Sequence, residues 1–448
     1  MNSNDLSRRR FLGYAATAAS VAIVPGHVLG NDKGNPAPSE KLNIAGIGVG
    51  GMGHGNLNQM RGENIVALCD VDHAYAARTF KKYPKAKTWK DYRKMLDQQK
   101  DIDAILIATP DHTHAVISMA AMKAGKHVYC QKPLTHDVYE ARMLAKVAKE
   151  TRVTTQMGIQ GHSMDHTRVI CEWIWSGAIG EVTSVDAWCD LSYYPWGHAG
   201  WSSKYSSRPK DTPAVPSTLD WDLWIGPAPM RPYHKAYHPA VWRCWLDFGS
   251  GMMGDRGAHT LDSAFWALNL GAPSTIEATS CGQSKDQHAL AAVVTYKFPK
   301  RGDLPPLKLT WYEGVRAPRP EELPDDRKMP SQGGIIYNGT KGKIMAGVYG
   351  NGARIIPESR MKEVGKPPQK LPRVKGTHEM DWIRACKAGK PAGAHFGFSG
   401  PLTEMCVLGN VAKRVDGRIH WDAEKLEVTN NKAANQYVRK QYRKGWSL

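Results

Sequence analysis

The sequence predicts an α/β chain. Its N-terminal part is a doubly wound parallel sheet, and its C-terminal part an α+β domain with a large, open, mostly antiparallel sheet. Three observations predict this. Apolar strand-like runs alternate with amphipathic helical runs from residue 42 to about residue 161. A Gly-x-Gly-x-x-Gly pattern lies where the first run meets the first helix. After Gly161 the alternation gives way to a long aromatic stretch and then to successive strand-like runs.

The first strand is Leu42–Ile47 in "LNIAGIGVGGMGHGNLNQM". Gly48, Gly50 and Gly53 follow, with Gly51 and Met52 inside the turn. In such a pattern the first glycine makes the tight turn. The second lets backbone approach a pyrophosphate, and the third lets helix and strand pack closely. The free N–H groups at the helix start, with the helix dipole, suit phosphate. The second run, "NIVALCD", ends at Asp70, placed to accept the ribose hydroxyls of a dinucleotide. An acid there repels a 2′-phosphate, which favours NAD over NADP.

"YRKMLDQQKD" reads as a helix and "IDAILIATP" as the third buried strand, ending at Thr109-Pro110. "HAVISMAAMKAG" is a helix closed by Gly125, and "KHVYCQKP" the next strand. "DVYEARMLAKVAKET" is a helix capped by Thr135 or Asp137, and "VTTQMGIQ" a further strand. Ligands of such sheets bind beyond the carboxyl ends of the strands. Those ends carry Gly48, Asp70, Thr109, Pro110, Lys132 and Gln160.

"HTRVICEWIWSGAIG" reads as a helix ending at Gly177 or Gly180, and "EVTSVDAWCD" as a strand. Residues 191–257 are rich in Trp, Tyr and Pro, a length of irregular chain that builds or covers a site. "AHTLDSAFWALNLG" reads as a helix. Six strand-like runs follow, from "TIEATSC" to "ARIIP", in a sheet with one face free for a twin. Helices are expected over 377–390 and 401–415. The basic, aromatic tail "NQYVRKQYRKGWSL" is expected to pack back on the fold. "GDRGAHTLD" places Asp255 four residues before His259, where a carboxylate can orient an imidazole on a shared helical face. An N-cap aspartate with a structural histidine fits that spacing as well.

The chain has 448 residues, 42% hydrophobic and 23% charged, and a net charge of +18. Its Lys and Arg are spread along the chain, with short clusters at Lys366–Lys375 and Arg439–Lys444. No nucleic-acid-binding motif is present, so the excess reads as a basic solvated surface. Eight cysteines include no Cys-x-x-Cys pair, which leaves zinc ribbons and thioredoxin-type chemistry without support. The N-terminal "SRRRFLGYAATAASVAIVPGHVLG" has the order of a twin-arginine export signal. It is too short and too rich in small residues for a stable membrane span. The division expected is a signal over 1–30, a leader over 31–40, a nucleotide-binding domain over 41–161 and a substrate and oligomerisation domain over 162–448. A periplasmic or otherwise exported location follows, through the twin-arginine machinery.

Together these motifs resemble the Gfo/Idh/MocA oxidoreductases. The resemblance rests on residues 48–53, Asp70, "ATPDHTH" at 108–114, "QKP" at 131–133 and "GDRGAHTLD" at 254–262. "CQKPLTH", "WDLWIGPAP", "WRCWLDFGSGMMGD" and the terminal "YRKGW" are similar to its exported, twin-arginine branch, common in Bacteroidetes and Planctomycetes. The resemblance implies hydride transfer between a bound nicotinamide and a secondary alcohol carbon of a sugar or glycoside; export, away from the cytoplasmic pool of free NAD, requires that cofactor to be held tightly. It implies that Lys132, Asp255 and His259 are catalytic, with His259 as base and Lys132 on the reacting oxygen. Lys132 is the alternative base. Thr109, Pro110, His114, Gln131 and Gln160 join the glycine loop and Asp70 around the cofactor. His162, Tyr237 and Arg243 are candidates for substrate contact. The family's Glu before the lysine is here Gln131. No metal is expected, although a hydrolase using His112, His114 and His259 is an alternative. Others are NAD-assisted glycoside cleavage or epimerisation, and a non-catalytic sugar-binding protein on the same fold. A homo-oligomer is expected through the C-terminal sheet.

Overall fold

The computed structural model describes residues 40–193 and 200–448. The export signal and all of the leader but Glu40 lie outside the described residues, as does part of the aromatic stretch. The first sheet is built from β1 (Asn43–Ile47), α1 (Met52–Gln59), β2 (Asn64–Cys69), α2 (His73–Lys82), β3 (Lys87–Trp89), α3 (Tyr92–Gln98), β4 (Ala104–Ile107), α4 (Asp111–Lys123), β5 (His127–Gln131), α5 (Val138–Thr151) and β6 (Thr155–Gly158). Its strand order is β3-β2-β1-β4-β5-β6, all parallel. β1 and β4 are almost wholly buried, as parallel strands covered on both faces must be. α5 starts at a capping box in which Asp137 and Glu140 bond each other's backbone, so Asp137 is the cap and Thr135 is not. β3 escapes the sequence reading: three residues at the sheet edge, Lys-Thr-Trp, make no apolar run.

The second sheet follows α6 (Asp165–Trp175) and contains β7 (Val182–Cys189), β8 (Thr275–Cys281), β9 (Ala291–Phe298), β10 (Leu307–Glu313), β11 (Gly334–Gly339), β12 (Gly342–Gly347), β13 (Arg354–Ile356), β14 (Arg418–Asp422) and β15 (Glu427–Val428). Its order is β13-β12-β11-β7-β10-β9-β8-β14-β15, with β7 and β10 the parallel pair. Two further helices are α7 (His378–Ala388), which packs on β5 and β6, and α8 (Phe396–Val415), which packs on α5 and β6 on one side and on β8 and β9 on the other. α8 begins five residues before the expected start and carries Pro401 inside it. Near its start Ser399 Oγ bonds back to the Ala394 and His395 carbonyls at 3.3 and 3.1 Å.

One expectation for this sheet is corrected. The face around Trp188, Ile336, Met345 and Ile356 is not open, because Ala317 and Leu323 of the chain's own β10–β11 connection bury it. The β9 side retains an exposed apolar residue, Val293. All eight cysteines are unpaired thiols, seven of them buried. Among the described residues, no helix is long and apolar enough to cross a membrane.

Candidate active site

A cleft of about 240 Å³ runs along the carboxyl ends of β1, β2, β4 and β5. Gly48, Gly50, Gly51, Met52, Asp70, Thr109, Pro110, His114, Gln131, Lys132 and Arg243 all line it. Gly48 has φ +78°, and a Cβ there would stand 2.7 Å from the Thr109 nitrogen. A Cβ at Gly53 would collide with the Gly48 carbonyl oxygen. The turn therefore exists only with glycine at both positions. Gly48→Ala is expected to leave the purified protein with less than a tenth of the wild-type nucleotide content, measured after denaturation, because the turn must shift into the cleft.

The first turn of α1 has no side-chain cap. Its N–H groups are open to a phosphate, which is the fit a dinucleotide requires. Asp70 has a job besides the expected one. Its Oδ2 accepts from Val49 N at 2.8 Å and Gly50 N at 3.1 Å, and its Oδ1 from Asp72 N at 3.0 Å. It thus fixes the glycine loop from beneath. Burial pushes its carboxyl up to about 6, against those three hydrogen bonds. Tyr75, unforeseen in the sequence, lays its ring over Gly50 and its hydroxyl beside Gly51.

The far wall comes from the aromatic stretch and the tail. Trp201, Leu223, Trp224, His238 and Trp242 line it, with Trp446. His238 joins Asp72 Oδ2 through Nε2 at 2.9 Å, which ties this wall to the start of α2. Trp446 reaches the cleft because Arg443 holds Asp222 at 2.5 Å and Tyr442 donates to Glu140 at 2.6 Å. Arg93 lies 4.8 Å from the Trp446 ring.

At the inner end Lys132 ion-pairs with the Asp255 carboxylate and also donates to its backbone carbonyl at 3.1 Å. Tyr193 donates to the other carboxylate oxygen at 2.5 Å, and Arg243 Nε lies 3.8 Å from the first. Burial opposes ionisation of Asp255, but the Lys132 and Arg243 charges and these donors hold its carboxyl far below the usual range. Arg243 is fixed between the Trp201 and Trp242 rings, 4.1 and 4.2 Å away.

Asp255 sits in a π-helical turn, Met253–Gly257, ahead of a short helix, Ala258–Thr260. The expected Asp255–His259 hydrogen bond is not formed. Both Asp255 oxygens are taken, and His259 Nδ1 is buried without a partner. The His259 ring instead meets Tyr349 edge-on at 4.7 Å. Burial, then the Lys132 charge, keeps this imidazole neutral, well below its ordinary value.

Gln131 does not face Lys132. Its amide donates to Asn56 at 3.0 Å, and Asn56 donates to Glu379 at 2.7 Å. The carboxylate at Lys132 is Asp255, so the lysine has its counter-ion without an acid at 131. His114 bonds the Pro133 and Thr109 carbonyls, both at 2.8 Å. Two carbonyl partners need two N–H donors. Although burial opposes the charge, Cys130, Asp111 and the Pro133 carbonyl push His114 up to about 9. His112 also has a carbonyl at each nitrogen, Phe248 at 3.3 Å and Trp224 at 2.9 Å, but burial pushes this imidazole down to about 3, so it is neutral and donates through one nitrogen only. Both rings are thus turned onto backbone carbonyls.

Three expected residues stand away from the cleft. His162 is buried, paired with Asp262 at 2.8 Å and stacked on Trp266 at 4.3 Å. Tyr237 packs edge-on against Trp245 at 4.9 Å, with Arg231 over its ring. Gln160 opens the 3-10 turn after β6 and is not part of the cleft lining. Trp201, Tyr75, His238 and Trp446 replace them in the lining. Their aromatic setting was the available signal, but aromatic composition does not say which rings reach a cleft.

The parallel sheet, its glycine turn and a lysine–carboxylate pair at one strand end define an NAD-binding oxidoreductase architecture. Residues 41–159 match the oxidoreductase family's NAD-binding Rossmann fold and residues 170–303 its C-terminal alpha/beta domain, together more than half of the chain. The protein belongs to the Gfo/Idh/MocA family. It is 35% identical over 97 residues to inositol 2-dehydrogenase of Salmonella typhimurium, covering 21% of this chain and 29% of that one. It is 26% identical over 212 residues to an alpha-N-acetylgalactosaminidase of Shewanella oneidensis, covering 41% and 46%. The chain thus spans less than half the length of these curated relatives. A levoglucosan dehydrogenase solved in complex with NADH has the same fold: TM-score 0.56, 17% identity, 85% of this chain and 99% of that one.

Proposed function

We propose that the protein is an NAD-dependent oxidoreductase acting at a secondary alcohol carbon of a sugar or glycoside. The observation that carries this is the Lys132–Asp255 pair at the inner end of the glycine-loop cleft, beside a neutral His259. Bound NAD would supply the acceptor for the hydrogen leaving the alcohol carbon. Gly48, Gly50, Gly51, Met52 and Gly53 shape its phosphate site. Asp70 holds that loop and turns its remaining lone pairs to the ribose. Thr109, Pro110, His114 and Gln131 border the nicotinamide end.

Lys132 donates a hydrogen bond to the substrate oxygen and stabilises the negative charge that develops there. Asp255, gripped by Tyr193, keeps the ammonium aimed. His259, uncharged at neutral pH, accepts the hydroxyl proton through a ring nitrogen. Arg243 adds a second fixed positive charge.

The match to an alpha-N-acetylgalactosaminidase over 41% of this chain favours a second reading, in which oxidation is transient and a glycosidic bond is cleaved. In both readings the cofactor stays bound, and Trp446 with the aromatic wall narrows its exit. The arginine pair Arg8-Arg9 supports export by the twin-arginine route to the periplasm, where free NAD is scarce. Domains over 41–161 and 162–448, with oligomerisation through the β9 side of the second sheet, complete the proposal.

The test is to purify the exported protein, denature it and identify the nucleotide released. About one NAD(H) per chain is expected. No nucleotide, together with no NAD binding, would overturn the reading. A glycoside panel followed by bound-NADH absorbance and by product analysis then separates net oxidation from cleavage.

A further inference from the structure

A second cavity, of about 490 Å³, lies at the end of β12. Four cations line it, Arg256, Arg327, Lys328 and Arg354, and no carboxylate is among its lining residues. Arg354 pairs with Glu358 at its edge. The side chains of Arg256, Arg327 and Lys328 make no hydrogen bond or ion pair with any described residue. Arg256 Nε and Arg354 Nε are buried without a hydrogen-bond partner. An unmatched buried guanidinium N–H costs stability, and three unpaired cations around one cavity repel each other. A protein keeps such an arrangement where an anion completes it.

The cavity is joined to the candidate active site. Arg256 directly follows Asp255 on the π-helical turn. Tyr349 forms part of the cavity wall and meets His259 edge-on at 4.7 Å. Burial and the Lys132 charge, then the Arg256 charge, act on His259, so the guanidinium stands close to the imidazole. The links between the two sites are thus the Asp255–Arg256 step and the His259–Tyr349 contact.

We propose that the cavity is a subsite for an anionic group, a carboxylate or a sulfate, carried by the sugar substrate. The substrate class is then an acidic glycan rather than a neutral one. The sugar part of this statement rests on the oxidoreductase reading; the anion part rests on the cavity alone. Guanidinium forks match the planar oxygens of a carboxylate and two oxygens of a sulfate. Asn351 and Ser331, also in the lining, can donate to the remaining oxygens.

Calorimetric titration of the intact protein tests this with three trisaccharides: trigalacturonate, a sulfated neutral-backbone trisaccharide, and maltotriose. At least one charged sugar is expected to bind ten-fold or more tightly than maltotriose, and which one distinguishes carboxylate from sulfate. The preference is expected to shrink as salt is raised. In the double variant R327Q/K328Q, whose two residues are exposed, the charged sugar is expected to weaken ten-fold or more. Maltotriose affinity and the thermal midpoint are expected to stay unchanged. Equal binding of charged and neutral sugars overturns the proposal. So does an undiminished preference in the variant, or inorganic sulfate binding with no preference between sugars. If the variant loses its oligomeric state while keeping the preference, the cavity serves a subunit contact and the proposal also fails. Nucleotide release from the same preparation reads independently. NAD absent with the preference intact sinks the oxidoreductase reading alone, and NAD present with no preference sinks the subsite alone.

Discussion

Lys132→Ala protein is expected to retain its NAD and to lose about 10²–10³-fold or more in turnover. The ammonium is the donor best placed to meet a substrate oxygen at the inner end of the cleft. Its stem leaves the end of β5, a buried strand, and its head is fixed by the Asp255 carboxylate and backbone carbonyl. The glycine loop and Asp70 are untouched by the change, so the cofactor should remain. Losing the ammonium also leaves Asp255 buried with Tyr193 and Arg243 as its remaining partners. The melting midpoint must therefore be measured beside activity. Lys132→Arg restores the charge and the ion pair but not the reach, and it separates folding from chemistry. A folded, NAD-loaded Lys132→Ala protein with full turnover would remove the lysine from the mechanism.

Lys413→Ala is expected to destabilise the protein by about 3–5 kcal/mol, read from denaturant unfolding. Lys413, on α8, donates to both oxygens of Glu313, on β10, at 2.9 and 2.8 Å. Their side chains are 3% and 2% exposed. The pair joins the long helix to the middle of the second sheet, and Trp311 Nε1 also donates to Glu313 at 3.1 Å. Removing the lysine alone strands a carboxylate in the core. The double change Lys413→Met with Glu313→Leu should recover most of the loss, because the pair's cost of burial goes with it. A single-variant loss below about 1 kcal/mol would show that water reaches the site.

The elements were legible to different degrees, for physical reasons. β1, β2, β4 and β5 announce themselves as apolar runs because parallel strands are covered on both faces. α5 declares its cap in Asp137. β3 and β15 are edge strands of three and two residues, too short for a local pattern to mark them. An α-helix beginning near Asp255 would put Asp255 and His259 on one face. A π-helical turn changes the angular step there, and the two side chains take different partners.

Within the site, strand-end reasoning pointed to Gly48, Asp70, Thr109, Pro110 and Lys132, and the family resemblance to His114 and Gln131; all of these line the cleft, as do Gly50, Gly51, Met52 and the substrate-contact candidate Arg243. His162 and Tyr237 were chosen for chemical type, and packing put them among other rings instead. Gln160 was chosen as a strand end, but the chain turns into a 3-10 helix there and takes it out of the cleft lining. Tyr193, Tyr75 and Trp446 could not be singled out among so many aromatics.

The sequence by itself determined the alternation of strands and helices, the glycine turn and the strand end that presents Lys132. These follow from forces acting within a few residues: backbone sterics, capping and the period of buried positions. The tertiary structure alone decided which charges meet. Lys132 and Asp255 are 123 residues apart, and Tyr193 is 62 from Asp255. An ion pair across that separation depends on how two sheets and a π-helical turn are stacked, and no local pattern carries that information.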